Sequence, residues 1–234
     1  MNAAKAAAIL VWFAPLIATA GNPEKPQPAW REETLDYNIN WPSGLSLGEG
    51  HLRTTRGSNG RWRVEMAIDA SVPGFAVLDE YKSLVTSEFC TAESEKNIAH
   101  GKRKANESTT FDQTNAKATR KTKDGGKAEF SIVTCGKDAL TFLQFLRREL
   151  RDGRIPPAQT IYFGASYTVK LEFLGSKQIR VGDAMVDTER LLATISGPAS
   201  KSTAELFFEK TPARTPVLVK VPFVLGTFSM ELAR

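Results

Sequence analysis

Two cysteines and two histidines are all that this chain of 234 residues offers toward soft or imidazole metal ligation. His51 and His100 lie in different strand-like regions, and neither an H-E-x-x-H run nor closely spaced cysteines occur, so no metal site is expected. No calcium-loop pattern appears either. A glycine-rich phosphate loop between a strand and a helix is missing, and no cofactor is expected. Gly164-Ala165-Ser166-Tyr167-Thr168 opens like a nucleophile elbow, but Thr168 stands where the last glycine belongs and no strand-to-helix context surrounds it. No catalytic residue is therefore assigned. Aromatic and basic residues are not interleaved as in single-strand binders, which argues against nucleic acid as a partner.

Long apolar runs are also missing after the first twenty residues. Lys5 gives a positive start, Ala6 to Ile17 an apolar stretch containing Pro15, and Ala18-Thr19-Ala20 a small-residue cleavage site. This is the plan of a secretory signal peptide, and the stretch is shorter than the roughly 20 residues of a spanning helix. Residues 1–20 are expected to be removed, leaving an exported, periplasmic or secreted chain without a transmembrane segment or a lipid-bearing cysteine at the cut. Residues 21–32, with Pro23, Pro26 and Pro28, read as an extended leader, and 33–234 as one β-rich domain. Export also means an oxidising compartment, where Cys90 and Cys135 are expected to form one disulfide worth about 4 kcal/mol on the chain-entropy model.

Period-two alternation is what the sequence does contain. Leu35, Tyr37, Ile39 and Trp41 alternate with Asp36, Asn38 and Asn40, and the pattern returns over 45–55 and 62–69 around the turn Gly57-Ser58-Asn59-Gly60. Further strands are expected over 81–87, 89–99, 102–111, 117–123, 128–133, 159–163, 167–174, 178–181, 185–196, 203–209, 217–221 and 226–232. One strong helix interrupts them: Asp138 caps it, Ala139, Phe142, Leu143, Leu146 and Leu150 recur at helical spacing, and Gly153, Pro156 and Pro157 stop it. Many short strands and one helix indicate an all-β, predominantly antiparallel fold. The expected form is a strongly curved sheet or open barrel with the helix in its concavity, a complete barrel being the alternative.

Removing residues 1–20 leaves 30 Lys and Arg against 26 Asp and Glu, and the excess is local. Between Lys96 and Lys127 stand nine bases (Lys96, Lys102, Arg103, Lys104, Lys117, Arg120, Lys121, Lys123, Lys127) against Glu107, Asp112 and Asp124. Lys102, Arg103, Lys104, Arg120, Lys121 and Lys123 fall on neighbouring strands and are candidates for an anionic lipid, glycan or membrane surface, or a solvated hairpin edge. On the helix, Arg147, Arg151 and Arg154 complement the dipole. If the helix borders a cavity, Phe142, Phe145 and Leu146 would line an apolar ligand and Arg147 its anionic head. That reading needs an apolar cavity of at least roughly 300 Å³. Asn106-Glu107-Ser108 fits a glycosylation sequon without further support.

The opening Glu33-x-Leu35-x-Tyr37 strand ending in Trp41, Phe111-Asp112, the helix from Asp138 to Arg147, Pro216-Val217 and Gly226 before Leu232 together resemble the exported bacterial family called domain of unknown function 3108. The resemblance spans nearly all of the mature chain and carries no established activity or site residues; the cysteine pair looks like a local addition. By analogy of fold, periplasmic lipoprotein carriers enclose an acyl chain between curved sheet and helix. The function expected is thus a non-enzymatic envelope protein holding an amphipathic or anionic envelope molecule, lipid or glycan. Alternatives are an assembly factor docking another envelope protein and an envelope glycan hydrolase.

Overall fold

The computed structural model describes residues 30–72, 75–223 and 226–233. The signal peptide and most of the leader expected from the sequence lie outside them. Fourteen strands form one sheet: β1 (Glu33–Asn40), β2 (Ser46–Arg56), β3 (Trp62–Val72), β4 (Phe75–Val85), β5 (Thr91–His100), β6 (Arg103–Asp112), β7 (Lys117–Thr122), β8 (Lys127–Ser131), β9 (Gln159–Tyr162), β10 (Ser166–Val181), β11 (Ala184–Ser196), β12 (Lys201–Glu209), β13 (Pro216–Phe223) and β14 (Gly226–Leu232). Their order is β8-β7-β6-β5-β4-β3-β2-β1-β14-β13-β12-β11-β10-β9, every ladder antiparallel. The N- and C-terminal strands pair in the middle, Tyr37 opposite Leu232, while β8 and β9 are the two ends. The fold is therefore an open, barrel-like all-β sheet rather than a complete barrel.

Alternation decides which side of this sheet faces in. Tyr37, Leu52, Val64, Val85, Val217 and Leu232 are buried and form one core cluster with Leu140 of the helix α1 (Ala139–Arg151). Phe142, Leu146 and Leu150 pack into a second cluster with Ile161, Val169, Leu171, Leu191 and Phe208 from the other half. Burying side chains of this size is worth roughly 1.5–3 kcal/mol each. The helix thus fills the concavity and joins the two halves through opposite faces. Asp138 caps it by accepting from the Thr141 amide at 2.8 Å, and Gly153 at φ +72° ends it.

The gap between β8 and β9 is bridged by side chains and by the segment that leads into α1. Lys137 makes a single parallel bridge to Ile161, and the Tyr162 amide donates to the Lys137 carbonyl at 2.9 Å. The Tyr162 ring packs against Phe111 and Phe130, and its hydroxyl accepts from the Val133 amide at 2.8 Å. Cys90 and Cys135 are disulfide-bonded, which ties this segment to the turn between β4 and β5. Gln113 reinforces it by accepting from the Gly136 amide.

Three sequence expectations change. The strands expected at 167–174 and 178–181 are one 16-residue strand, β10, bent by a bulge at Phe173 and by Gly175 at φ +103° rather than broken by a turn. The strand expected from Phe89 starts at Thr91, because Phe89 has φ +64° in a tight turn. Trp30, inside the stretch expected to be leader, packs into the core. Trp30 is buried, stacked on Phe89 at 4.5 Å and Trp62 at 5.3 Å, and its indole donates to the Ser87 carbonyl.

Candidate functional site

Two regions compete as sites: the interior beside α1, and the wing formed by β4 to β8. In the interior, Phe142 and Leu146 are buried in the second core cluster, against strands rather than an open space. Phe145 is half-buried, with the Lys137 ammonium 4.7 Å and the Arg148 guanidinium 4.9 Å from its ring centre. Arg147 is 6% exposed and grips the Glu33 carboxylate with two nitrogens. It also donates to the Gln144 amide oxygen at 3.0 Å and to the carbonyls of Ala213 and Arg214. Burial pushes the Glu33 carboxyl up, but hydrogen bonds and charge from Arg147, then Arg31, outweigh it and hold the group below its ordinary value. Every side of the guanidinium is occupied, so Arg147 is a packing and pairing residue and not a free anchor for a ligand head.

The wing's inner face changes character with distance from the helix. Phe111, Ala118 and Phe130 form an apolar register row. The next row runs Val64, Ser83, Ser94, Thr109 and Arg120, and the one beyond it Met66, Tyr81, Lys96, Glu107 and Thr122. Lys96 pairs with Glu107 at 3.1 Å and sits 5.3 Å from the Phe163 ring centre, while Arg120 donates to the Gly164 carbonyl. Phe163 and Gly164 thereby roof the cleft from the β9–β10 connection. Its free space is only about 30 Å³, about one water molecule. The apolar cavity of several hundred cubic ångströms that a lipid carrier requires is not found here: α1 already occupies the concavity.

Of the three carboxylates lining this cleft, Glu107 is ion-paired, Asp138 is buried and Glu95 is exposed. Asp138 accepts from the Ser83 hydroxyl and the Thr141 amide, and burial raises its carboxyl above the ordinary value against the lowering effect of these bonds. Farther out, Asp79 accepts from the Tyr81 hydroxyl at 2.9 Å and contacts His100 Nε2 at 2.9 Å. Burial and then the Asp79 charge raise the Tyr81 phenol. His51 lies elsewhere, against Asp36 at 2.7 Å. Among the described residues, no three His, Cys, Asp or Glu side chains converge as metal ligands.

The basic residues divide between the two faces. Arg120 points inward to Gly164. Lys102, Arg103 and Lys104 are exposed at the β5–β6 turn. Lys121 and Lys123 are exposed on the outer face, where they line a shallow hollow of about 210 Å³ with Asn97, Asn106, Ser108 and Glu95. Lys121 stands directly opposite Lys127 in the β7–β8 ladder. Spacing on paper placed all six bases together; strand alternation removes Arg120 from the set.

An open barrel-like sheet plugged by a helix, with a charged wing, is the class of protein these features define. The chain belongs to the family described as protein of unknown function DUF3108, whose model matches residues 36–233. It is also similar to a crystal structure of a beta-barrel-like protein of domain of unknown function DUF1849 from Brucella abortus. That match has a TM-score of 0.61 at 7% identity and covers 87% of this chain and 96% of the other. This likeness is one of fold. No curated protein matches. Among the described residues, no helix is long and apolar enough to cross a membrane.

Proposed function

We propose that this is an exported, non-enzymatic envelope protein that binds an amphipathic or anionic envelope molecule, lipid or glycan, on the wing of its curved sheet rather than inside it. The observation carrying this reading is the outer corner of β6 to β8. There Lys121 faces Lys127, and Lys121 and Lys123 line a hollow with the amide groups of Asn97 and Asn106; Lys104 is exposed two residues before Asn106 on β6. Like charges directly opposite on paired strands are destabilising; Glu129, 3.0 Å from the Lys127 ammonium, offsets part of that cost, and a bound anion relieves the remainder at Lys121. The packed interior supports placing the ligand outside, and the engaged state of Glu107 and Asp138 weighs against the glycan hydrolase.

The test is calorimetric titration of the mature chain with inorganic polyphosphate and with phosphatidylglycerol vesicles. K104E/K121E/K123E should weaken binding at least tenfold for the probe that binds, with a steeper loss at high salt in the wild type than in the variant. Equal binding by variant and wild type, or no binding of either probe, overturns the reading. A second reading, the assembly factor, draws on β8, whose only ladder among the described residues is to β7. Cross-linking to a defined envelope protein through Lys127–Ser131 would favour it.

A further inference from the structure

In the sheet order, the turns β13–β14, β1–β2, β3–β4, β5–β6 and β7–β8 all lie at the same end of the barrel. Their described residues form a graded rim. At the β1–β2 turn, Pro42 and Leu45 are exposed, Leu45 by 64%, next to a half-buried Trp41. Phe228 of β14 meets Trp41 edge-on at 4.8 Å, and a hollow of about 350 Å³ opens between these turns, lined by Trp41, Pro42, Lys220 and Thr227. One hairpin along, Phe75 is 43% exposed at the start of β4, and the next turn carries Lys102, Arg103 and Lys104.

The apolar and basic parts are physically joined. A Cβ added at Gly101, which has φ +58°, would lie 3.3 Å from the Phe75 ring, so this ring rests on the backbone of the basic turn. Leu78, 50% exposed, shares an outer-face row with Ala99 and Lys104. Large apolar side chains at turn tips are poorly hydrated and serve no core, while bases beside them draw the rim toward negative charge. The opposite end is more polar: its turns carry Ser58-Asn59-Gly60, Ser87-Glu88 and Thr114-Asn115, and the disulfide, with Met185 beside the β10–β11 turn as an isolated exposed apolar side chain.

We infer that this rim is a membrane-docking edge: Trp41, Leu45 and Phe75 enter the interfacial region of an anionic bilayer while Lys102, Arg103 and Lys104 contact its headgroups. The inference rests on the proposed anion-binding function and adds the partner, an anionic lipid surface, and the orientation, rim down. Charge complementarity alone would suit any polyanion; the row of exposed apolar tips is what selects a bilayer, since a soluble polyanion offers them nothing. The described helix and core take no part, so docking leaves the fold intact.

The experiment is co-sedimentation of the mature chain with vesicles of phosphatidylglycerol and phosphatidylcholine mixed, or of phosphatidylcholine alone, with inorganic polyphosphate titrated separately. K102E/R103E/K104E should lower the partition coefficient on mixed vesicles roughly 100-fold, from about fivefold per base. L45S/F75S should lower it at least tenfold while leaving polyphosphate binding unchanged, and L45S alone, at the more exposed position, should lower it without changing the melting temperature. Quenching of indole emission by brominated lipid should fall in W41F. If L45S/F75S binds mixed vesicles like the wild type, or neutral vesicles bind equally well, the docking edge is wrong, and anion binding stands where polyphosphate still binds. If neither vesicles nor polyphosphate bind, both readings fall.

Discussion

Arg147 and Glu33 are 114 residues apart in the chain and meet in a two-point ion pair beneath the sheet, both side chains less than a tenth exposed. The pair joins the helix to the first strand, and Gln144 extends it to the Thr54 hydroxyl of β2. Removing one partner leaves a buried charge without its counterion. R147M should therefore destabilise the fold by about 3–5 kcal/mol, whereas the double variant R147M/E33L should recover most of that loss. Urea unfolding of the two chains measures the difference; equal stabilities would show that the pair contributes nothing.

The same pair sets an acid limit. Glu33 has a native carboxyl held below its unfolded value, so its contribution is complete above about pH 4.5 and is lost as pH falls through the lower native value. Melting temperatures of wild type and E33Q measured between pH 3 and 6 should converge at the acid end and diverge toward pH 6.

Asp138 has the opposite sign. Burial raises its native carboxyl, so its titration favours the fold below the unfolded value near 3.8, and that contribution is lost as pH rises through the native value. Asparagine keeps the cap to Thr141 and removes the buried charge. D138N should thus match or exceed the wild type in stability at pH 7, while D138A loses roughly 1–2 kcal/mol with the cap. A denaturation series at pH 7 separates the three; D138N falling to the level of D138A would contradict this account.

Cys90 and Cys135 close a loop of 45 residues. Replacing both with serine should cost about 4 kcal/mol. Hydrogen exchange should show the loss first in 132–137, where the bridge to Ile161 and the Tyr162 contacts seal the gap between β8 and β9.

Trp30 is buried against Trp62 and Phe89. A chain starting at residue 33 forfeits the stacks on Trp62 and Phe89, and should be less stable than one starting at residue 30 by about 3–5 kcal/mol, the range for deleting a buried tryptophan. Guanidinium midpoints for the two chains provide the comparison.

The strands were legible where one face is wet and one dry, as in Leu35 to Trp41, because solvent imposes a period of two. The helix was legible for a similar reason: Asp138 and Gly153 bracket a stripe that nothing but a helix would bury. What alternation does not encode is how far a strand runs through a bend, which hid the continuity of β10 across Gly175. Nor does local pattern say what a long side chain reaches. Arg147 read as a ligand anchor because its partner, Glu33, lies in a different part of the sequence. The lysines of β6 and β7 were visible as a charge excess, but only strand register sends Arg120 inward and Lys121 outward. Trp30 sat among prolines, where no periodicity announced it.

The joint between β8 and β9 has a consequence for how such a wall can change. A barrel laced all the way round by backbone hydrogen bonds has its girth set by strand number and stagger, and can widen only in whole strands. Here the last joint is made by Tyr162, Phe111, Phe130 and one bridge at Lys137. Circumference becomes a matter of side-chain size, so a bulkier or slimmer plug can be accommodated by substituting a few residues along one line, with every ladder left as it was.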